Sequence, residues 1–363
     1  MPQNDERDIR AALSFYVARP LPAHLLETAH NLHLSTDGWV YPGTSDGLPL
    51  PGEKILQELQ NLGRSLRERA GTAGLLIPGD LGWPAGTGCD QLPCLWVRGN
   101  RDIAGLLSAA VAVTATRAGT PYGAATAADF ASGLAEAGLT VVTSTALRVD
   151  QQIAATAVTV PGAHAVLVSD RGIDQPFAGP AASTIDRVIR DGALVSAFPP
   201  GTGQAMARTF VREQLLYQLA AGTVVVEAAA QPHTMLAARR AAEAGRIVCA
   251  VPGPAASPSS AGCHQLIAER TARLVTSTAD VLAEIGEHDA ELLSFAVNAE
   301  NRAMTRDGIY GLPPFRVSAP SASHAANMAL DLVARARTVG EQLSVDVQGP
   351  SGDIATFAFD LPA

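Results

Sequence analysis

The middle of the chain alternates between short apolar runs and longer amphipathic segments. The apolar runs are rich in β-branched residues and lie at 109–114, 140–143, 163–168, 193–197, 223–228 and 246–251. Segments with helical spacing separate them, at 121–137, 149–158, 181–191, 205–220, 232–244 and 260–268. Continuous apolar strands that alternate with helices are typical of a parallel sheet covered on both faces. The pattern therefore predicts an α/β fold with a doubly wound, mainly parallel sheet.

The two flanks of the chain have different patterns. Before the alternation, helical spacing appears at 8–18, 23–34 and 53–70. After it, 287–323 has no clear period, 324–340 has helical spacing, and 343–347 with 354–359 is typical of a β-hairpin. Three domains are expected: a helical N-terminal domain at 1–74, the α/β domain at 75–286, and a small α+β appendage at 287–363.

The charge distribution changes what the net charge of −9 implies. Residues 95–285 hold 14 basic and 14 acidic side chains, so the whole excess of negative charge lies in the two flanks. Lys54 is the only lysine, so cationic contacts must come from arginine. Arginine suits bidentate recognition of phosphate, although a coding bias towards arginine explains much of this usage equally well.

Several classes of site are not indicated by the sequence. The four cysteines form no CxxC pair, and no set of histidines and cysteines has metal-ligand spacing. No GxSxG elbow and no GxxxxGK[ST] loop occurs. The N-terminus is charged and lacks an apolar leader, and no apolar run is long enough to span a membrane. We expect a cytoplasmic protein with no catalytic residues, no metal, no cofactor and no membrane partner.

Motifs in a particular order carry a resemblance to a known family. LIPGDLGWP and LPCLWVRGN are followed by RAGTPYGAATAADFASGLAEAGLTVVTS, GALVSAFPPG, FVREQLLYQLAAGTVVVEAA and AARRAAEAGRIVCAVPGP. In this order they resemble the DprA/Smf family of DNA-processing proteins, over about residues 75 to 285. The resemblance implies a Rossmann-like domain, binding of single-stranded DNA, loading of a recombinase without enzymatic activity, and a homodimer.

The chain departs from the family pattern in the turns that bind anions. The family's Val-Gly-x-Arg turn reads Thr-Ala-Thr-Arg at 114–117, and its glycine-rich stretch at 143–150 contains no glycine. The expected histidine is Ala154, Arg-Asn-Arg reads Arg-Glu-Gln at 212–214, and the Ser-Gly turn at 231–234 is also changed. PPG at 199–201 and AVPGP at 250–254 are retained. A lost glycine costs on the order of 1 kcal/mol wherever φ must be positive.

The candidate DNA contacts follow from the resemblance and from strand position. Arg117 is retained after the first strand, and Arg148 replaces a family glycine. Arg208 and Arg212 lie four residues apart on one predicted helix face. We predict these four arginines as DNA-binding residues, together with Ser144, Ser196 and Gly201 in the neighbouring turns. The competing interpretation is that the arginines are surface residues paired with nearby acids.

Three functional hypotheses follow. The leading one is a divergent DprA-like protein that binds single-stranded DNA and mediates DNA uptake and recombination with a recombinase or another partner. The second is a degenerate scaffold or regulatory subunit that no longer binds DNA, favoured by the lost glycines and acidic flanks. The third is a nucleotide sensor or phosphoribohydrolase, although the PGGxGTxxE stretch of those enzymes does not occur here.

Overall fold

The computed structural model describes most of the first 291 residues and four later segments. The described residues are 3–18, 25, 53–116, 119–146, 148–177, 179–230, 232–291, 293–305, 308–311, 315–319, 342–348 and 354–360. The chain divides into two compact units, Met1–Val281 and Leu282–Ala363. No helix among the described residues is both long enough and apolar enough to cross a membrane.

The first unit alternates strands and helices in the predicted order. Its strands are β1 (Gly74–Leu76), β2 (Leu95–Gly99), β3 (Ala110–Ala115), β4 (Thr140–Ser144), β5 (Ala165–Ser169), β6 (Ala193–Ser196), β7 (Gly222–Glu227), β8 (Ile247–Ala250) and β9 (Arg273–Leu274). Its helices are α1 (Gln3–Leu13), α2 (Glu53–Ala70), α3 (Ile103–Leu107), α4 (Pro121–Glu136), α5 (Arg148–Ala157), α6 (Pro180–Asp191), α7 (Met206–Leu219), α8 (Pro232–Glu243) and α9 (Ala261–Ala268). A further helix, α10 (Thr278–Glu291), follows β9. The six apolar runs all form strands, β3 to β8.

The strands form one nine-stranded sheet in the order β1-β2-β6-β5-β4-β3-β7-β8-β9. Pairs from β6 to β9 along this order are parallel, and β1 and β2 pair antiparallel at one end. Every residue of β4 to β8 is buried, as expected for strands covered on both faces. The predicted α/β class with a doubly wound, mainly parallel sheet is confirmed.

The strand order reverses between β3 and β7. From β3 the chain builds β4, β5 and β6 on one side, and then returns to place β7 and β8 on the other side. The turns after β3 and β7 therefore lead away from each other. In doubly wound sheets this reversal opens a crevice beyond the carboxyl ends of the strands, where ligands bind.

The N-terminal helices share a core with the sheet, whereas the sequence predicts a separate domain at 1–74. Ile9 and Leu13 of α1 belong to the same hydrophobic cluster as Leu95 of β2. The buried Trp96 indole donates to Ser14 Oγ at 3.1 Å. The first helix also begins at Gln3 rather than at 8, because its early polar turn carries little of the apolar period used to locate it. The predicted helix at 23–34 lies outside the described residues, apart from Leu25.

The second unit contains strands where the sequence predicts a mixed segment. These are β10 (Leu293–Thr305), β11 (Gly308–Gly311), β12 (Phe315–Ala319), β13 (Gln342–Gln348) and β14 (Ile354–Asp360). All their pairings are antiparallel, and β13 and β14 form the predicted hairpin. Residues 287–323 show no clear alternation of apolar and polar residues because the long β10 has polar residues at many positions, so the sequence did not indicate these strands. The predicted helix at 324–340 lies outside the described residues.

Candidate nucleic-acid interface

The candidate site is the carboxyl edge, by which we mean the turns that follow β3 to β8. Because these six strands are parallel, the turns lie on the same side of the sheet. The ends of β4, β5 and β6 are nearly level, since Ser144 pairs with Val168 and Ser169 pairs with Ser196. Side chains from three successive turns can therefore face one ligand.

A glutamate occupies the crevice at the strand reversal. Glu227 ends β7 and is 1% exposed. Its carboxylate accepts hydrogen bonds from Thr120 N–H at 2.9 Å and from Thr120 Oγ at 2.7 Å. Thr120 is the N-cap of α4, and Glu227 thus takes the place at the helix N-terminus that suits an anion. A Cβ on Gly123 would lie 2.1 Å from Glu227 Oε2, so the carboxylate fills this space.

The turn after β4 holds Ser144 and Arg148 in different settings. Ser144 is buried, donates its hydroxyl proton to Asp150, and accepts the Ala146 N–H at 3.1 Å. Both hydrogen bonds shape the turn that leads into α5. Arg148 begins α5 and is exposed. The prediction that both residues bind DNA stays a prediction, and the geometry gives Ser144 a local structural partner.

The turn after β5 contains a buried ion pair with α7. Asp170 and Arg212 are 1% and 4% exposed, and Arg212 Nη1 lies 3.7 Å from Asp170 Oδ2. Arg212 Nη2 also approaches Glu213 Oε1 at 3.4 Å. The local pairing expected from the competing interpretation is thus present at Arg212. Its role as a DNA contact stays a prediction, and its buried position leaves little of the guanidinium open to solvent.

Arg171 is a cation at this edge that the sequence analysis missed. It is the second residue after β5. Its Nε lies 3.7 Å from Asp170 Oδ1, and it donates to Gln204 Oε1 at 3.1 Å. Its guanidinium also lies 5.0 Å from the centre of the Phe177 ring. The signal in the sequence was a charged pair directly after a continuous apolar strand. Asp170 is the other member of that pair, and Glu227 could have been found as a single acid at the end of an apolar strand.

The turn after β6 combines a buried serine with the half-buried Arg208. Ser196 Oγ donates to the Arg171 carbonyl at 2.8 Å and accepts Phe198 N–H at 3.0 Å. Arg208 donates to the Gly203 carbonyl, and its guanidinium lies 5.8 Å from the centre of the Phe198 ring. These contacts connect the turns after β5 and β6. They leave part of Arg208 at the surface of the carboxyl edge.

Gly201, in the retained PPG motif, also has an internal acidic partner. Its φ is +83°, and its N–H lies 2.8 Å from Asp174 Oδ1 and 3.0 Å from Oδ2. Arg69 of α2 donates to Asp174 Oδ2 at 3.1 Å. Burial alone would raise the pKa of Asp174, but the hydrogen bonds from Gly201 and other neighbours hold it below its usual value.

The structure brings some of the predicted residues together and leaves others apart. Arg208 and Arg212 share α7, and Ser196 contacts the Arg171 backbone beside them. Arg148 begins a different helix, and Arg117 lies outside the described residues. The replaced family glycines carry no left-handed strain at Ala115 or Arg148, because positive φ outside glycine occurs among the described residues at Ala18 and Arg270.

The described residues offer no metal site and no activated thiol. No group of three His, Cys, Asp or Glu side chains among them could hold a metal ion. All four cysteines are buried, and none of them forms a disulfide in the described structure. Burial raises the pKa of Cys94 and of Cys263 to about 12, so both thiols are protonated at neutral pH.

Comparison with known proteins identifies the central domain. A model of the family described as DNA recombination-mediator protein A matches residues 75–286. The DNA processing protein DprA assigned in Mycobacterium tuberculosis strain H37Rv is 36% identical over 231 residues, which cover 60% of this chain and 59% of that protein. Protein Smf of Escherichia coli K12 is 34% identical over 53% of this chain and 51% of its own length. The chain thus spans about half to three fifths of these relatives.

Solved structures support the fold. The X-ray structure of DNA processing protein A from Streptococcus pneumoniae superposes with a TM-score of 0.60 and 24% identity, covering 78% of this chain and 98% of that one. A structure from Helicobacter pylori, described as showing the single-stranded DNA binding mode of its DNA processing protein A, has a TM-score of 0.51 and 19% identity over 60% and 96% of the two chains. From the family match and the sheet topology, the chain belongs to the DprA/Smf family of DNA recombination-mediator proteins.

Proposed function

We propose that this chain is a recombination mediator that binds the backbone of single-stranded DNA at the carboxyl edge and does no chemistry on it. Family membership and the H. pylori relative, described as binding single-stranded DNA, support the proposal. The partner would be a recombinase or another protein of DNA uptake and recombination, and the active form would be a homodimer in the cytoplasm.

The observation that carries the proposal is the placement of three arginines. Arg148, Arg171 and Arg208 come from the turns or helices that follow three adjacent parallel strands. Each keeps part of its side chain at the surface. Guanidinium groups on level strand ends suit a run of phosphates, and they carry no information about base sequence. Arg117 follows the neighbouring strand and extends the same set as a prediction.

Internal acids limit how many phosphate contacts this edge can make. Glu227 holds the N-terminus of α4, Asp174 holds the Gly201 N–H, and Asp170 faces Arg212. Binding would therefore depend on the surface arginines rather than on backbone N–H groups. A small number of phosphate contacts gives modest affinity that salt reduces.

A fluorescence anisotropy titration tests the proposal. The full chain is titrated against a labelled oligothymidine at about 50 mM salt, where electrostatic binding is strong. The wild type is expected to bind, and the triple variant R148Q/R171Q/R208Q is expected to lose binding. R98Q is a matched control, because Arg98 is partly exposed and lies on β2 near the opposite edge of the sheet, where Gly99 pairs with Ala193. Wild-type affinity that the triple variant retains would reject the proposed interface.

A second candidate function is a scaffold that has lost DNA binding. The observation that favours it is the same set of internal carboxylates, because they occupy donors that a phosphate would otherwise use. Under this alternative the wild type shows no affinity for the oligothymidine, and a pull-down recovers a stable partner that nuclease treatment does not release. The same two measurements therefore distinguish the two functions.

A further inference from the structure

A small cavity lies at the amino edge of the sheet, by which we mean the residues that precede the parallel strands. Its volume is about 100 Å³. Arg246 marks its position, since this residue directly precedes β8 and donates to the carbonyl of Ala220, just before β7. The side chains and turns that surround the cavity come from the loop before β2, the second half of α7 and the end of α8. They are Gly86, Thr87, Gly88, Gln214, Tyr217, Gln218, Ala237, Arg240, Ala241, Ala244 and Arg246.

The charge of this cavity wall is one-sided. It contains the cations Arg240 and Arg246, and none of the described residues that line it is acidic. In the part of the chain that the structure describes, neither arginine has an ion-pair partner within 4 Å. Two cations that line one small cavity carry like charges, and an anion bound beside them would offset both.

The neighbouring Arg239, also on α8, differs from Arg240 because it has an acidic partner. Arg239 forms an ion pair with Glu269, the residue directly after α9, with distances of 2.8 and 3.0 Å. Arg240, one residue later, points away from this acid and lies over the Phe210 ring at 5.3 Å. Adjacent arginines on one helix thus differ in whether the fold supplies a carboxylate. This difference provides a matched pair for experiment.

Arg246 is held in place by neutral groups. Its Nη1 donates to Ala220 O at 2.9 Å and its Nη2 donates to Gly86 O at 3.3 Å. Burial lowers the pKa of Arg246 below its usual value, because its charge is partly removed from water. Carbonyl oxygens fix the direction of the guanidinium but do not neutralise it. A cation that is partly desolvated and lacks a counter-charge is stabilised when an anion binds beside it.

The rest of the wall suits a compact polar group. Gln214 and Gln218 bring side-chain amides that can donate hydrogen bonds, and the alanines at 237, 241 and 244 bring small apolar surfaces. At about 100 Å³ the cavity is smaller than the roughly 300–1,000 Å³ of pockets that enclose drug-sized ligands. It has room for one phosphate group and little more.

We propose that this amino-edge cavity binds a single phosphate group, either as inorganic phosphate or as the end of a small phosphate ester. Arg240 and Arg246 supply the positive charge, and the two glutamines supply further donors. The site is separate from the carboxyl edge and does not rest on the proposed DNA binding. Occupancy would neutralise the wall where the loop at 86–88 meets α7 and α8.

Isothermal titration of inorganic phosphate into the full chain tests this site, with chloride holding the ionic strength constant. We expect saturable binding with a dissociation constant of about 1 mM or tighter. R240Q should weaken it by about tenfold or more, because a charged hydrogen-bond donor is lost. R239Q, whose arginine is paired with Glu269, should bind as the wild type does. A repeat with adenosine monophosphate distinguishes the two sources of the phosphate group. Tighter binding of adenosine monophosphate than of inorganic phosphate indicates a phosphate ester, and weaker binding indicates inorganic phosphate.

A second variant tests the site without removing an arginine. Ala244 lines the cavity four residues after Arg240, so A244E places a carboxylate where it can pair with that guanidinium. Phosphate binding should then weaken while the protein stays folded. The proposal is overturned if the wild type shows no saturable phosphate binding, or if R239Q weakens it as much as R240Q does.

Discussion

The arginines at the two edges of the sheet differ in whether acidic side chains lie beside them. At the carboxyl edge the buried Arg212 faces Asp170 and Glu213, and the half-buried Arg171 also faces Asp170. At the amino edge Arg240 and Arg246 line a cavity, and no acidic residue lies in its wall within the part of the chain that the structure describes. Residues 95–285 have equal numbers of basic and acidic side chains, yet that balance is not uniform in space. Charge counts along a sequence therefore do not locate the cations that remain free to bind a ligand.

The carboxyl edge differs from the amino edge in its internal carboxylates. Glu227 satisfies the N-cap of α4, and Asp174 satisfies the Gly201 N–H. These interactions stabilise the turns, and they use donors that an incoming phosphate would require. The carboxyl edge consequently has turns that are bonded to internal acids, with arginines at its surface.

The largest effect is expected at the buried ion pair. Asp170→Ala leaves the Arg212 guanidinium buried beside Glu213 alone and should lower the free energy of unfolding by about 3 kcal/mol. Urea denaturation measures this change. The double variant D170A/R212M should recover much of the loss, because it removes both charges. A double variant that is destabilised by the sum of its single changes would show that the two residues do not interact.

The next effect concerns the crevice at the strand reversal. Glu227→Ala leaves the N–H and hydroxyl of Thr120 without their acceptor and should cost about 2 kcal/mol of stability. It also frees the N-terminus of α4, so affinity for single-stranded DNA should rise. Thermal denaturation and anisotropy measure the two changes. E243A, on the surface of α8, is the control and should change stability by less than about 0.5 kcal/mol. Unchanged stability in E227A would mean that Glu227 does not hold this turn.

A smaller effect is expected at one surface arginine. If Arg148 contacts one phosphate, R148Q should reduce the slope of log affinity against log salt by about 0.7. Anisotropy titrations at several salt concentrations give this slope. R98Q should leave it unchanged. If R148Q has the same slope as the wild type, Arg148 does not contact a phosphate of the bound DNA.

The smallest effect is a pH dependence at Asp174. Its pKa is lowered in the folded protein, so the ionised form contributes stability that is fully present above the unfolded pKa of about 3.9. That contribution is lost as the pH falls through the folded pKa. D174N should therefore be less stable than the wild type at neutral pH, and the two should converge below about pH 4. Urea denaturation of both proteins from neutral pH to below about pH 4 measures this difference in stability. A difference that stays constant across this range would contradict a lowered pKa for Asp174.

The sequence predicted the sheet better than it predicted the site. Continuous apolar runs identified β3 to β8 because they are short, rich in β-branched residues and separated by segments with helical spacing. The polar contacts of the site were not accessible in this way. The sequence predicted Arg212 as a DNA contact because its partner Asp170 lies 42 positions earlier and meets it only in the folded protein. In the same way, Glu227 lies 107 positions from Thr120, from whose N–H it accepts a hydrogen bond. Arg239 and Arg240 look alike in sequence, and only the position of Glu269 separates them.

The salt dependence of single-stranded DNA binding by the wild-type chain tests the central claim most directly. If the surface arginines Arg148, Arg171 and Arg208 make the phosphate contacts, log affinity should fall with log salt with a slope of about −2, from three contacts at about 0.7 each. The triple variant should show no measurable binding under the same conditions. No affinity of the wild type at about 50 mM salt, or a slope that the triple variant shares, would contradict the account.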